Sequence, residues 1–195
     1  MSQLCNTCSN CQNDNRYLFV ACAKGHVECV ELLLSKSHQN DINYQNEYGN
    51  TPLMVACQGG HLNCVKLLLA ENNIHNVNIY YQNKNGDTAL IESIYYQHYK
   101  CAKFLCEQSG QFVNDYVNCK NKNNTTALIW AVTRGNIKCV KLLVEYGADI
   151  NHTDAFGASA LIWSKRYKHQ ECIDYLELIS EQGHNLGPKF ALKLN

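Results

Sequence analysis

The chain has no charge surplus: among its 195 residues, Lys+Arg and Asp+Glu stand at 17 each. That balance removes the global field that draws a protein to nucleic acid or anionic lipid. No apolar run approaches the ~18 residues of a membrane span. The start, Met1-Ser2-Gln3-Leu4-Cys5, lacks both the basic residues and the apolar core of a secretory signal. Ser2 stands where myristoylation needs glycine, and Asn195 closes no prenylation motif. Catalytic signatures are missing as well: there is no Gly-x-Ser-x-Gly, no Gly-x4-Gly-Lys-Ser/Thr, no Gly-x-Gly-x-x-Gly and no His-Glu-x-x-His. We therefore expect no enzyme, no cofactor, no nucleic-acid partner and no membrane partner.

Cysteine is not scarce, with twelve copies. A secreted disulfide scaffold would place them in turns of a small, loop-rich fold. Most lie inside apolar helical stretches instead, where a thiol behaves as a small hydrophobe. The reading is a reducing, cytoplasmic compartment, with the nucleus, or the host cytoplasm for a virus or intracellular microbe, as alternatives, and the Asn-x-Thr matches at Asn123, Asn124 and Asn151 are chance in an Asn-rich chain. Residues 1–15 are polar around Cys5, Cys8 and Cys11, and read as a disordered leader.

From Tyr17 an internal repeat begins. Leu18, Leu53, Leu90, Leu128 and Leu161 are spaced by 35, 37, 38 and 33 residues, and a cysteine follows each by 11: Cys29, Cys64, Cys101, Cys139 and Cys172. The segments after those cysteines, such as Val65-Lys66-Leu67-Leu68-Leu69 and Val140-Lys141-Leu142-Leu143-Val144, carry apolar residues at helical spacing. The start signals are Thr51-Pro52-Leu53-Met54, Thr88-Ala89-Leu90-Ile91, Thr126-Ala127-Leu128-Ile129 and Ser159-Ala160-Leu161-Ile162. The breaks are Gly25-His26, Gly60-His61, Gln97-His98, Gly135-Asn136 and Lys168-His169.

These motifs, with Gly147-Ala148-Asp149-Ile150-Asn151, resemble ankyrin repeats over residues ~16–180. The resemblance implies an all-α solenoid of helix-turn-helix units joined by hairpin loops. The divisions are a leader over 1–15, repeats over 16–45, 46–82, 83–120, 121–153 and 154–180, and a cap or tail over 181–195. Thr or Ser caps each first helix, glycine permits the tight break, and alanines such as Ala21, Ala56 and Ala131 permit close stacking. Length differences fall only between a second helix and the next hairpin, where 9, 11, 12 and 7 residues reach Asn43, Tyr80, Asn118 and Asn151. A surface loop tolerates such insertions. Asn124 replaces the hairpin glycine because asparagine accepts positive φ. Glu171, Asp174, Glu177 and Glu181 give the last repeat a polar outer face, and Phe190, Leu192 and Leu194 are placed to cover the open end.

Two metal readings arise. His-x-x-Cys occurs at His26/Cys29, His61/Cys64, His98/Cys101 and His169/Cys172, yet equivalent points on stacked helices lie roughly 8–10 Å apart, too far for one tetrahedral ion. Cys5-x-x-Cys8-x-x-Cys11 lacks a fourth ligand. No metal site is assigned.

Ankyrin arrays bind partners on hairpin tips and the exposed side of each first helix. Mapped onto those positions, the resemblance selects Tyr48, Tyr95, Tyr96, Arg134, Phe156, Arg166 and Tyr167 as the protein-binding residues, aromatic and Arg side chains being the usual hot spots. Val20, Val55, Glu92, Trp130 and Trp163 share one register of the first helix, read as packing between helices, with an aromatic anchor as alternative. Asn43 and Asn151 resemble the family's asparagine-hydroxylation context. The expected function is a monomeric, non-catalytic adaptor binding another protein. The alternatives are a thiol- or zinc-dependent regulator using the Cys5–Cys11 leader, and a host-directed effector of a virus or intracellular microbe.

Overall fold

The computed structural model describes residues 16–35, 41–70 and 77–181. The Cys5–Cys11 leader and the Phe190–Leu194 cover lie outside the described residues. The chain divides into two compact units, residues 1–101 and 102–195.

The first unit holds α1 (Arg16–Lys24), α2 (Val27–Ser35), α3 (Pro52–Gln58), α4 (Leu62–Leu68) and α5 (Ala89–Tyr95). Helix α6 (Tyr99–Gln108) crosses the boundary. The second unit continues with a 3-10 turn at Gly110–Phe112, then α7 (Val113–Val117), α8 (Ala127–Thr133), α9 (Ile137–Glu145), α10 (Ala160–Arg166) and α11 (Gln170–Glu181). No strand forms among the described residues; the only pairings are single bridges, Lys120 to Thr126 and Thr153 to Ser159.

Capping sets where each first helix starts. The hydroxyls of Thr51, Thr88, Thr126 and Ser159 accept from the backbone N–H of Met54, Ile91, Ile129 and Ile162 at 3.3–3.5 Å. The cap answers one of the four orphan donors of a helix start. Pro52 sits at the first helical position of α3, where it loses no bond. Within the first unit α1 packs on α3 and α3 on α5; within the second α8 packs on α10 and α9 on α11. The small slot on the first helix is fully covered: Ala56 and Ala131 are 0% exposed. Ser93 and Ser164 fill the same slot, and each returns its hydroxyl to a carbonyl of its own helix, Leu90 at 2.7 Å and Leu161 at 2.8 Å.

The break between helices has a left-handed residue in every copy: Gly25, Gly60 and Gly135 at φ 65–69°, Gln97 at 64° and Lys168 at 59°. The hairpins repeat the pattern at Gly49, Gly86 and Gly157, with Asn124 at φ 57° as expected.

One expectation needs correcting. The insertion after α6 is not a plain loop: Val113, Tyr116 and Val117 fall at i, i+3 and i+4, fold as α7 and are buried. Three apolar residues on one helical face return more than an open loop does.

Two of the differences between the last repeat and the fourth exchange buried apolar residues for charges. Val132 and Val144 are buried in repeat four. Their equivalents are Lys165 and Glu177, half-exposed and paired at 2.6 Å. Glu171, Asp174 and Glu181 are exposed as well, so α11 presents the polar side expected of a terminal repeat.

Candidate functional surface

Each hairpin is built on one residue five positions before the helix cap: Asn46, Asn83, Asn121 and Asp154. In all four the side-chain oxygen accepts two backbone N–H groups, from the residues two and four further on, at 2.9–3.0 Å. This Asx turn holds the first of the two donors by its own N–H, and so fixes Tyr48, Asn85, Asn123 and Phe156 in equivalent places at the tips. Neighbouring tips are tied by backbone bonds of one kind, Lys84 N–H to the Tyr48 carbonyl and Ala155 N–H to the Asn123 carbonyl, both 2.9 Å. Tyr48 is 63% exposed and Phe156 81%.

In two hairpins the second atom of the Asx side chain reaches the first helix nine residues on, and in each the partner matches its chemistry. Asn83 offers an N–H, and the residue is Glu92: Nδ2 donates to Oε1 at 2.7 Å and also reaches Asn50 Oδ1 at 3.0 Å. Asp154 offers an oxygen, and the residue is Trp163: the indole N–H donates to Asp154 Oδ2 at 2.6 Å. At Glu92 and Trp163 the shared register therefore carries a polar contact with the hairpin, which the packing reading did not include. The five-residue offset from Asn or Asp to the Thr/Ser cap was the signal available in the sequence.

In the second unit Trp163 gathers two of the predicted residues. Tyr167 stacks on it, with centroids 5.7 Å apart and planes 19° from parallel, and the Arg166 guanidinium lies 5.1 Å from its ring centre. His169 continues the stack behind Tyr167 at 6.1 Å, and its Nε2 meets the Thr133 carbonyl at 3.3 Å. That bond brings the ends of α8 and α10 side by side, and Arg134 follows Thr133 as the cap of α8. Tyr167 remains 52% exposed and Phe156 stands apart on its tip. In the first unit Tyr95 and Tyr96 meet edge to face at 5.1 Å, at the end of α5, and Tyr48 stands on its hairpin.

Glu92 is buried one turn before Tyr96. Burial, reinforced by the Asp87 carboxylate, pushes its carboxyl up to about 7 against the opposing bonds from Gln58 and Asn83.

The histidines of the breaks serve the scaffold. Nε2 of His61 meets the Ala23 carbonyl at 3.2 Å and that of His98 the Gln58 carbonyl at 2.9 Å, each in the preceding repeat. The buried free cysteines are apolar filling. Burial pushes Cys101 and Cys139 up to about 11 and Cys106 to about 12, and raises Cys22, Cys57, Cys64 and Cys172. A thiol held protonated is a poor nucleophile and a poor metal ligand. Cys29 differs from these free thiols in being disulfide-bonded. Asn43 Oδ1 accepts the Asn78 backbone N–H at 3.0 Å, and Asn118 Oδ1 that of Asp149 at 2.8 Å, so this slot ties one repeat to the next.

The model of a family described as ankyrin repeats in three copies matches residues 1–80, 18–117 and 110–186. The chain belongs to the ankyrin-repeat family, and its all-α architecture of helix-turn-helix units is that family's fold. A search of curated proteins returned no match. Ankyrin repeats are in general protein–protein interaction modules and typically non-catalytic. Among the described residues no helix is long and apolar enough to cross a membrane.

Proposed function

We propose that the chain is a monomeric, non-catalytic adaptor that holds another protein on its hairpin tips and first-helix ends. The binding residues in this reading are Tyr48, Tyr95, Tyr96, Arg134, Phe156, Arg166 and Tyr167. The observation that supports it most is the Arg166–Trp163–Tyr167–His169 stack, a half-exposed aromatic and cationic surface locked by its own neighbours. Side chains already fixed lose little freedom on binding, which is how a rigid scaffold gains affinity. Tyr and Arg in such settings carry a large share of interface energy. The buried, protonated thiols support a scaffolding role for the cysteines over a reactive one.

The test is replacement of Tyr95, Tyr96 and Tyr167 together by alanine, followed by affinity purification from the native cell beside the unaltered chain. A partner retained by the wild type and lost by the variant, with the melting temperature kept, is the expected result. Equal recovery of every partner would remove these residues from the binding surface.

A further inference from the structure

The overall charge of zero hides a segregation inside the second unit. Residues 120–136 and 153–169, which build its hairpins and first helices, carry Lys120, Lys122, Arg134, Lys165, Arg166 and Lys168 against one acid, Asp154. Asp154 is buried and its carboxylate is engaged by the Trp163 indole and by the hairpin N–H groups. Lys165 is partly neutralised by Glu177. Helix α11 is the reverse, with Glu171, Asp174, Glu177 and Glu181 and no base.

Lys122, Arg134, Arg166 and Lys168 are all exposed. The His169 bond to Thr133 sets Arg134 beside the end of α10, which carries Arg166 and Lys168. The hairpin bond from Ala155 to Asn123 sets the tip after Lys122 beside the tip that carries Phe156. Cations therefore flank two exposed aromatic rings, Phe156 and Tyr167.

Building on the adaptor reading, we infer that the hairpins and first-helix ends of the second unit bind an acidic segment of a partner protein, with an apolar side chain set against Tyr167 or Phe156. Carboxylates answer the four cations, and Arg134 and Arg166 can take them bidentately. A long polyanion is the poorer match. The acids of α11 oppose the field of the cations within the same unit, and the rings of Trp163, Tyr167 and His169 are stacked on one another rather than set apart to receive successive bases. A short acidic segment meets only the cationic residues.

The experiment is selection of a random 12-residue peptide library on the full-length protein, in parallel with Arg134→Glu/Arg166→Glu. Affinities of the selected peptides and of a 20-nucleotide oligo-dT follow by fluorescence anisotropy at two salt concentrations. The expected result is enrichment of Asp and Glu around an apolar residue, with affinity on the wild-type protein falling as salt rises. The variant is expected to bind those peptides about tenfold or more weakly. The salt series on the unaltered chain keeps the test valid should the variant not fold. Selected peptides that are neutral or basic, or acidic ones that bind the folded variant equally, overturn the inference and leave the adaptor reading standing. Recovery of no peptide together with tight binding of the oligo-dT overturns both. Recovery of neither ligand overturns the inference.

Discussion

Gly60 lies beneath the imidazole of His98: a Cβ at Gly60 would stand 2.4 Å from His98 Nδ1. Gly25 has the same relation to His61, and Gly135, at 2.6 Å, to His169. The glycine thus answers two demands, a φ of 65–69° and the ring of the following repeat.

Gly60→Ala should therefore cost more than its backbone. The left-handed conformation alone is worth about 1–2 kcal/mol for a residue with a Cβ, and displacement of His98 adds to it. Urea denaturation of Gly60→Ala, His98→Ala and the double variant separates the two. The double variant should be less destabilised than the sum of the singles; strict additivity would show that the ring does not feel the Cβ.

Gln97 holds the same left-handed place with φ 64°. In the repeat after Gln97 the register holds Asn136, where the repeats after Gly25, Gly60 and Gly135 hold histidines, and Asn136 serves instead as the cap of α9, accepting from Cys139 N–H at 3.1 Å. Gln97→Gly relieves strain and should raise stability by about 0.5–1 kcal/mol, the strain relief exceeding the entropy cost of glycine. A lower melting temperature for the variant would count against strain at this position.

Glu92 predicts a pH dependence. Its folded-state carboxyl titrates at about 7, above the ordinary value of 4.5, so the folded form holds its proton more tightly than the unfolded one. The sign follows: this contribution is complete below pH ~4.5 and is lost as pH rises through ~7. Glu92→Gln keeps an acceptor for Asn83 without the charge. It should be more stable than wild type at pH 8, by about 1–3 kcal/mol, and should flatten the slope between pH 5 and 8. Thermal melts across that range check both; an unchanged slope would exclude Glu92 as its source.

Asp154→Asn separates the two tasks of one side chain. The amide retains the oxygen that receives the Phe156 and Ala158 N–H groups, as Asn46, Asn83 and Asn121 do. It replaces the acceptor of the Trp163 indole with a donor. Loss of that charge-assisted bond should cost about 1–3 kcal/mol and shift Trp163 emission, read as a difference spectrum against wild type. An unaltered spectrum and midpoint would show that the bond contributes nothing to holding the ring.

How much of this was legible beforehand depends on the range of the interaction. The Leu18-to-Leu161 register, the caps at Thr51, Thr88, Thr126 and Ser159, and the left-handed places at Asn124 and the glycines are set by a residue and its immediate neighbours, and the sequence displays them. The roles of Glu92 and Trp163 are not, because each depends on whether the hairpin residue nine positions earlier offers a donor or an acceptor. Helix α7 was hidden for a related reason. Five residues in an insertion of unequal length have no counterpart in other copies, and their apolar face is recognised only once it is buried. Tyr167 was chosen as an exposed aromatic, whereas its contact with His169 joins it to a residue assigned wholly to the scaffold.

The ion pair that replaces two valines in the last repeat also governs how such a chain can lengthen. Duplication of repeat five in tandem would press Lys165 and Glu177 against a new neighbour and leave both charges dehydrated, a cost that several good apolar contacts are needed to offset. Extension of the array at that edge therefore demands reversion of both positions to valine-like residues, whereas insertion of a copy after repeat four, where Val132 and Val144 already face a neighbour, demands no such change. Growth in numbers of repeats is thus easier in the interior than next to this pair.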